Sequence, residues 1–173
     1  MIFKCTKKVR TALKLNDREL PAVTEQDGQG LGTWYCNMFH VDRRKVLIWI
    51  HSRSLFIVIA PDVRQADLRR FGEIFRERAT KILSEGEGFE NDEIARLIDT
   101  GPDVFAKTDS RSILASLNDQ IYRVKATAWD GGGYEHVDFD RLNHNINRIP
   151  MGALKYGYPI DRLKLLLSNE TSH

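Results

Sequence analysis

The sequence predicts an α+β fold in which helices cover an antiparallel β-meander. Three runs rich in β-branched and aromatic residues lie at residues 33–41, 46–51 and 55–60, separated by short polar turns. Downstream, apolar residues recur at steps of three and four, the spacing of amphipathic helices. A length of 173 residues is close to the usual size of one domain, so we expect residues 1–173 to form a single α+β domain.

The meander supplies the three central strands of the predicted sheet. Its second and third strands carry apolar residues on both alternate faces, and such strands are normally covered on both sides. Short strands are expected at residues 2–6 and, as an edge strand, at 104–106. A basic helix at residues 8–15 follows the first strand. The loop at residues 16–32 is long enough to act as a lid.

About five to six helices are expected in all. Apolar periodicity places the remaining ones at residues 68–82, 92–98, 113–129, 139–149 and 160–167. Three successive glycines, residues 131–133, form a hinge after the longest of them.

Composition and charge exclude several classes of protein. The net charge of +2 is too small for indiscriminate binding to nucleic acid or anionic membranes, although residues 1–53 carry ten Lys/Arg against five Asp/Glu. No stretch approaches the roughly 18 apolar residues of a spanning helix, and the first ten residues lack the apolar core of a signal peptide. We therefore expect a cytoplasmic protein with no membrane partner. Familiar nucleotide, zinc and nucleophile motifs are missing, so no cofactor is expected, and whether the chain is an enzyme stays open.

Cys36, His40 and His51 are the residue types most typical of a metal site, but their spacing argues against one. Cys36 and His40 are four residues apart on a strand, about 13 Å at about 3.3 Å per residue. If residues 42–45 form the hairpin turn, the numbers of paired residues sum to 87 and Cys36 lies opposite His51. Two ligands do not complete a zinc site, so no metal is expected.

The joint between the edge strand and the long helix has the composition of an anion site. The first turn of a helix exposes N–H groups without acceptors and a partial positive charge. Cations and hydroxyl donors are added at the same point by Lys107, Thr108, Ser110, Arg111 and Ser112. A phosphate or carboxylate is the ligand that such a site binds. The alternative is that Asp109 or Ser110 only caps the helix and that the cations are solvated.

The long helix also carries a polar stripe beside its apolar face. Its members follow steps of four and three: Arg111, Ala115, Asn118, Tyr122 and Lys125. Asn118 would extend the anion site along the helix towards an extended phosphate chain or an acidic partner. A solvated flank is the alternative, because every amphipathic helix has a polar face.

Residues 143–148 contain three asparagines, which are poor helix formers and serve no apolar core. Asn147 and Arg148 are predicted to bind a ligand through their side chains. The alternative is that they satisfy backbone groups of the turn-rich segment at residues 151–159.

Several segments carry a resemblance to known sequences. They are Cys5-Thr6-Lys7-Lys8, Trp34-Tyr35, Asp42-Arg43-Arg44-Lys45, residues 105–112, Asn118-Asp119 and residues 147–154. In this order they resemble an uncharacterised family of bacterial and mobile-element proteins that is known only as a domain of unknown function. The resemblance spans nearly the whole chain and implies no activity, cofactor or catalytic residue.

The residues favour a non-enzymatic anion-binding module that contacts nucleic acid or another phosphorylated partner through the helix N-terminus and a basic face. That face would combine the joint at residues 107–112 with the turn at residues 43–45 and with Lys4, Lys7, Lys8 and Arg10. One alternative is an enzyme of unfamiliar type that acts on a small anionic substrate, with Asp109 or His144 moving a proton. Another is a module that binds a protein partner through the stripe of the long helix.

Overall fold

A five-stranded mixed sheet forms the centre of the computed structural model, which describes residues 1–22, 31–98 and 100–170. Its strands are β1 (Ile2–Cys5), β2 (Thr33–Val41), β3 (Arg44–His51), β4 (Ile57–Ala60) and β5 (Val104–Lys107). They lie in the order β4-β3-β2-β1-β5. Residues 23–30 of the predicted lid lie outside the described residues.

The predicted antiparallel meander is confirmed for β2, β3 and β4, whereas β1 pairs in parallel with both β2 and β5. The prediction of three central strands is wrong for β4. Because β1 and β5 extend the sheet beyond β2, β4 lies at an edge and β2 at the centre. A parallel pair needs a long crossover, and the segment between β1 and β2 provides one.

The predicted register of the β2–β3 hairpin is wrong by two residues: the numbers of paired residues sum to 85 and not to 87. Asp42 and Arg43 alone form the turn, so that Trp34 rather than Cys36 lies opposite His51. Asp42 has a φ of 49°, the left-handed conformation that two-residue hairpin turns require. The two remaining residues of the polar run, Arg44 and Lys45, belong to β3.

Helices cover both faces of the sheet, as the apolar alternation predicts. They are α1 (Lys7–Ala12), α2 (Phe71–Lys81), α3 (Asn91–Leu97), α4 (Arg111–Asp130), α5 (Phe139–Ile146) and α6 (Pro159–Glu170). On one side, termed the α2 face, the core includes Phe3, Trp34, Trp49 and Phe75. On the other side, termed the α4 face, it includes Tyr35, Ile48, Leu117 and Ile121.

Two asparagines, Asn143 in α5 and Asn147 at the C-cap of that helix, close the outer edge of β4. The amide nitrogens of Ile57 and Ile59 donate to the Oδ1 atoms of Asn147 and Asn143, both at 2.7 Å. Both asparagine Nδ2 atoms donate in return to the carbonyl oxygen of Ile57 at 2.9 Å. The carbonyl of Ile59 accepts from Nε of Arg78 at 2.9 Å. These side chains take the place of a neighbouring strand, so this edge cannot pair with another chain.

Replacing Asn147 by alanine should destabilise the fold strongly. The side chain is fully buried, and its loss leaves the amide of Ile57 without an acceptor, which costs about 1–3 kcal/mol for each unsatisfied buried group. We expect the free energy of unfolding, measured by urea denaturation, to fall by about 3 kcal/mol. Asn145→Ala is the matched control, because Asn145 is exposed on the same helix. Equal losses in the two variants would contradict this role of Asn147.

Candidate functional site

A cavity of about 350 Å³ lies at the amino end of α4, on the α4 face of the sheet. We term it the α4 cavity. Its wall is formed by Lys4, Thr33, Tyr35, Ser52, Arg53, Asp109, Ser110 and Ile113. The sequence predicts the helix end at which this cavity lies, but it identifies few of the side chains around it.

A hydrogen-bonded network of three side chains forms the floor of the cavity. Lys4 Nζ donates to Asp109 Oδ2 at 2.7 Å, and the Tyr35 hydroxyl donates to Asp109 Oδ1. Lys4 is only 5% exposed, whereas the side chain of Asp109 is 48% exposed. Burial raises the pKa of Asp109, but the hydrogen bonds from Lys4 and Tyr35 outweigh it and leave this pKa below its ordinary value. The network therefore holds a buried lysine beside an ionised carboxylate.

The parallel register brings this network together. Lys4 lies between Tyr35 of β2 and Ala106 of β5, and it points to the α4 face because its neighbours Phe3 and Cys5 point to the α2 face. Its ammonium group is also 5.5 Å from the centre of the Tyr35 ring. A lysine at an inward position of a central strand needs a partner there, and Asp109 supplies the charge.

Ser110 is the N-cap of α4. Its Oγ accepts a hydrogen bond from the amide of Ile113 at 3.3 Å. The amides of Arg111 and Ser112 lie in the first turn, where helix geometry provides no intrahelical acceptor. The partial positive charge of this 20-residue helix is thus located beside the cavity.

Arg53 is presented by a tight turn between β3 and β4. The amide of Ser54 donates to Nδ1 of the buried His51 at 3.2 Å, and His51 Nε2 lies 3.0 Å from the carbonyl oxygen of Leu31. Since Nδ1 accepts a hydrogen bond from the Ser54 amide, Nε2 carries the ring hydrogen and the ring is neutral. Leu55 completes the turn with a φ of 59°. Arg53 is exposed at the tip of this braced turn.

Of the five joint residues predicted to bind an anion, only Ser110 contributes to the wall of the α4 cavity. Lys107 lies beside Cys5 in the sheet and therefore points to the α2 face. There the hydrogen bond from Arg10 lowers the pKa of Asp17, and the charge of Lys107 adds to this effect. The remaining three residues, Thr108, Arg111 and Ser112, are half-buried or exposed at the helix end.

Asn118, further along α4, accepts a hydrogen bond from Asn37 at 3.4 Å. Asn37 in turn accepts one from Thr6 at 3.0 Å. Asn118 is thus linked through Asn37 of β2 to Thr6, the residue that follows β1. It is exposed but lies outside the cavity wall.

Asn147 and Arg148 lie at the β4 edge, four strand positions from β5, which is about 19 Å at about 4.8 Å per strand. The Asn147 side chain is hydrogen-bonded to the backbone of Ile57 in β4. Both terminal nitrogens of Arg148 donate to the fully buried carboxylate of Glu87, at 2.8 and 2.6 Å. The structure therefore does not bring Asn147 and Arg148 together with residues 107–112, and their binding of a ligand stays a prediction.

The predicted basic face is also divided. Arg10 is buried against the carbonyl of Cys5 and the carboxylate of Asp17. Arg44 ion-pairs with Glu135 at 2.8 Å, beyond the carboxyl end of α4. That helix end is about 30 Å from the α4 cavity at about 1.5 Å per residue. The turn at residues 43–45 and the helix amino end therefore belong to separate surfaces.

No sequence pattern points to four of the residues that line the α4 cavity, namely Thr33, Tyr35, Ser52 and Arg53. One available signal was Lys4 itself, a charged residue that alternates with Phe3 and Cys5 in a strand. The pairing of this strand with β2, which brings in Tyr35, has no local signature.

Cys5 and Cys36 are both free and buried. Burial, followed by the neighbouring Cys5, raises the pKa of the Cys36 thiol well above its ordinary value. Among residues 1–22, 31–98 and 100–170, no group of three or more His, Cys, Asp and Glu side chains has an arrangement that could hold a metal ion. Within the same ranges, no helix combines the length and apolar character needed to cross a membrane.

The fold should lose stability in acid because of His51, the buried side chain that holds the turn with Arg53. Burial lowers the pKa of His51 from 6.5 to about 4. Between these values the unfolded chain binds a proton that the folded chain does not, so the free energy of unfolding should fall as the pH is lowered from 6.5 to 4, by about 3 kcal/mol. Urea denaturation at several pH values measures this slope. His51→Gln should flatten it and His136→Gln, at an exposed position, should not; equal slopes in both variants would refute the assignment.

Comparison with curated proteins found no match. A family model does match, over residues 2–162, and its description is "Domain of unknown function (DUF6933)". The matched region extends from β1 into the first turn of α6 and includes every residue of the α4 cavity. This confirms the expectation of an uncharacterised family: the chain belongs to the family of the domain of unknown function DUF6933.

Proposed function

We propose that the chain is an anion-binding module that holds a phosphate group of nucleic acid, or of another phosphorylated partner, in the α4 cavity. The observation that carries this proposal is the presence of two cations, Lys4 and Arg53, in the wall of a cavity at a helix amino end. First-turn amides and the helix dipole favour an anion at such a point.

The charges in the wall fit a small anion. Lys4 and Arg53 contribute two positive charges and Asp109 one negative charge. Arg53 is exposed at the tip of its turn and lines the cavity, so its side chain lies where a ligand enters from solvent. Its planar guanidinium can donate two parallel hydrogen bonds to one phosphate.

Binding is better supported than catalysis. A lowered pKa makes Asp109 a weak base, whereas proton transfer is most efficient when the pKa of the base is near the working pH. His144, the other residue considered for proton transfer, lies near Gly86 and Glu87 and not in the α4 cavity. Both features favour a non-enzymatic site in this cavity.

Arg53→Gln should weaken phosphate binding. We expect the dissociation constant for inorganic phosphate, measured by NMR titration of backbone amides, to rise about tenfold, because a hydrogen bond to a charged group contributes about 1.5 kcal/mol or more. Arg123→Gln is the matched control, since it removes the same charge from an exposed position on α4 outside the cavity wall. Lys107→Gln should behave like this control because Lys107 points to the other face. The proposal is wrong if Arg53→Gln binds phosphate as tightly as the native chain does, or if Lys107→Gln weakens phosphate binding as much as Arg53→Gln does.

Asp109→Asn should strengthen phosphate binding while it destabilises the fold. Among the residues that the structure describes, Asp109 is the one acidic side chain in the cavity wall. Its substitution removes a negative charge that opposes an anion, and one charge at about 4 Å in water is worth about 1 kcal/mol, or about fivefold in affinity. The buried Lys4 loses its ionised partner, so the free energy of unfolding should fall by about 1–2 kcal/mol. The same NMR titration and urea denaturation measure both effects. A weaker affinity for phosphate would contradict the proposed position of the anion.

A further inference from the structure

A second cavity, of about 570 Å³, also has Arg53 in its wall. Its wall includes Leu154, Lys155, Tyr158, Arg162 and Leu165 in addition to Arg53. Arg53 therefore lines both cavities. This shared residue is the observation that links them.

The second cavity combines positive charge with an aromatic and apolar surface. Arg53, Lys155 and Arg162 contribute three positive charges to its wall, and Asp161 contributes one negative charge. Leu154, Leu165 and the ring of Tyr158 supply apolar area. Proteins bind single-stranded nucleic acid with this combination, in which cations follow the phosphates and aromatic rings stack on the bases.

The backbone beside the second cavity has an uncommon conformation. Lys155 and Tyr156 are consecutive non-glycine residues with φ values of 53° and 65°, a region that residues with a side chain rarely adopt. A bridge between Met151 and Gly157 holds this turn, and the amide of Tyr156 donates to the carbonyl of Met151 at 2.9 Å. The turn leaves Tyr156 79% exposed, next in sequence to Lys155 of the cavity wall.

Building on the proposed function, we propose that the two cavities form one site for single-stranded nucleic acid. A phosphate group binds at Arg53, a base stacks against Tyr158 in the second cavity, and the next phosphates lie near Lys155 and Arg162. A duplex does not fit this arrangement, because the faces of its bases are already stacked on one another. The volume of the second cavity is in the range of small-molecule sites and sufficient for one base with its sugar.

The test uses fluorescence anisotropy with a labelled oligothymidylate, a duplex of the same length and thymidine monophosphate, together with the inorganic phosphate titration. Tyr158→Leu should weaken binding of the oligonucleotide about tenfold, as expected for the loss of one stacked base, and leave phosphate binding unchanged. Tyr122→Leu is the matched control, because Tyr122 is exposed on α4 and outside both cavities. Arg162→Gln should lower by about one the slope of the logarithm of affinity against the logarithm of salt concentration.

The outcomes separate the two proposals. If phosphate perturbs no amide at the α4 cavity, the proposed function fails and this inference fails with it. If phosphate binds there but Tyr158→Leu and Arg162→Gln bind the oligonucleotide as the native chain does, only the nucleic-acid inference is overturned. Equal or tighter binding of the duplex or of the mononucleotide overturns it as well. The inference is supported if the oligonucleotide binds more tightly than the duplex and the mononucleotide, and if this binding depends on Tyr158 and Arg162.

Discussion

The contact between Lys4 and Asp109 is the constraint on which the arrangement of the site depends. It joins the third residue of β1 to the residue before the N-cap of α4, and so fixes the start of that helix over the parallel part of the sheet. A lysine buried in a central strand is tolerated only with a charged partner within reach. Tyr35 completes the coordination of the carboxylate from β2. The floor of the α4 cavity is therefore also part of the framework that holds sheet and helix together.

Local sequence patterns predicted the elements of the fold better than their arrangement. The meander and the helices follow from alternation and from steps of three and four, which are properties of neighbouring residues. Strand order is not such a property, and the parallel pairing of β1 with β2 and β5 had no signal in the sequence. The predicted hairpin register is wrong because the polar residues Arg44 and Lys45 continue the strand and do not belong to the turn. The asparagines at the end of α5 mark a special position, but their hydrogen-bond partners in β4 are more than 80 residues away.

The same distinction applies to the candidate site, where a local pattern predicts the helix end but not the residues that surround it. A helix amino end is readable from the sequence, and Ser110 was correctly included as a cap residue. The residues around it come from β1, β2 and the β3–β4 turn, which only the tertiary fold brings together. Lys107 was misplaced because two residues close in sequence lie on opposite faces of a sheet when an odd number of steps separates them. Lys107 and Ala106 are such a pair, and only Ala106 shares the face of Lys4.

The closure of the β4 edge fixes the spacing of the two asparagines. Asn143 and Asn147 are four residues apart, so one helical turn brings both side chains to the same side, where they reach β4 together. Inserting or deleting one residue between them rotates one amide by about 100° relative to the other, and only one of the two then faces the strand. Surface connections such as residues 131–138 usually accept a change in length. The number of residues between the two asparagines is instead expected to be as strongly constrained as their identity.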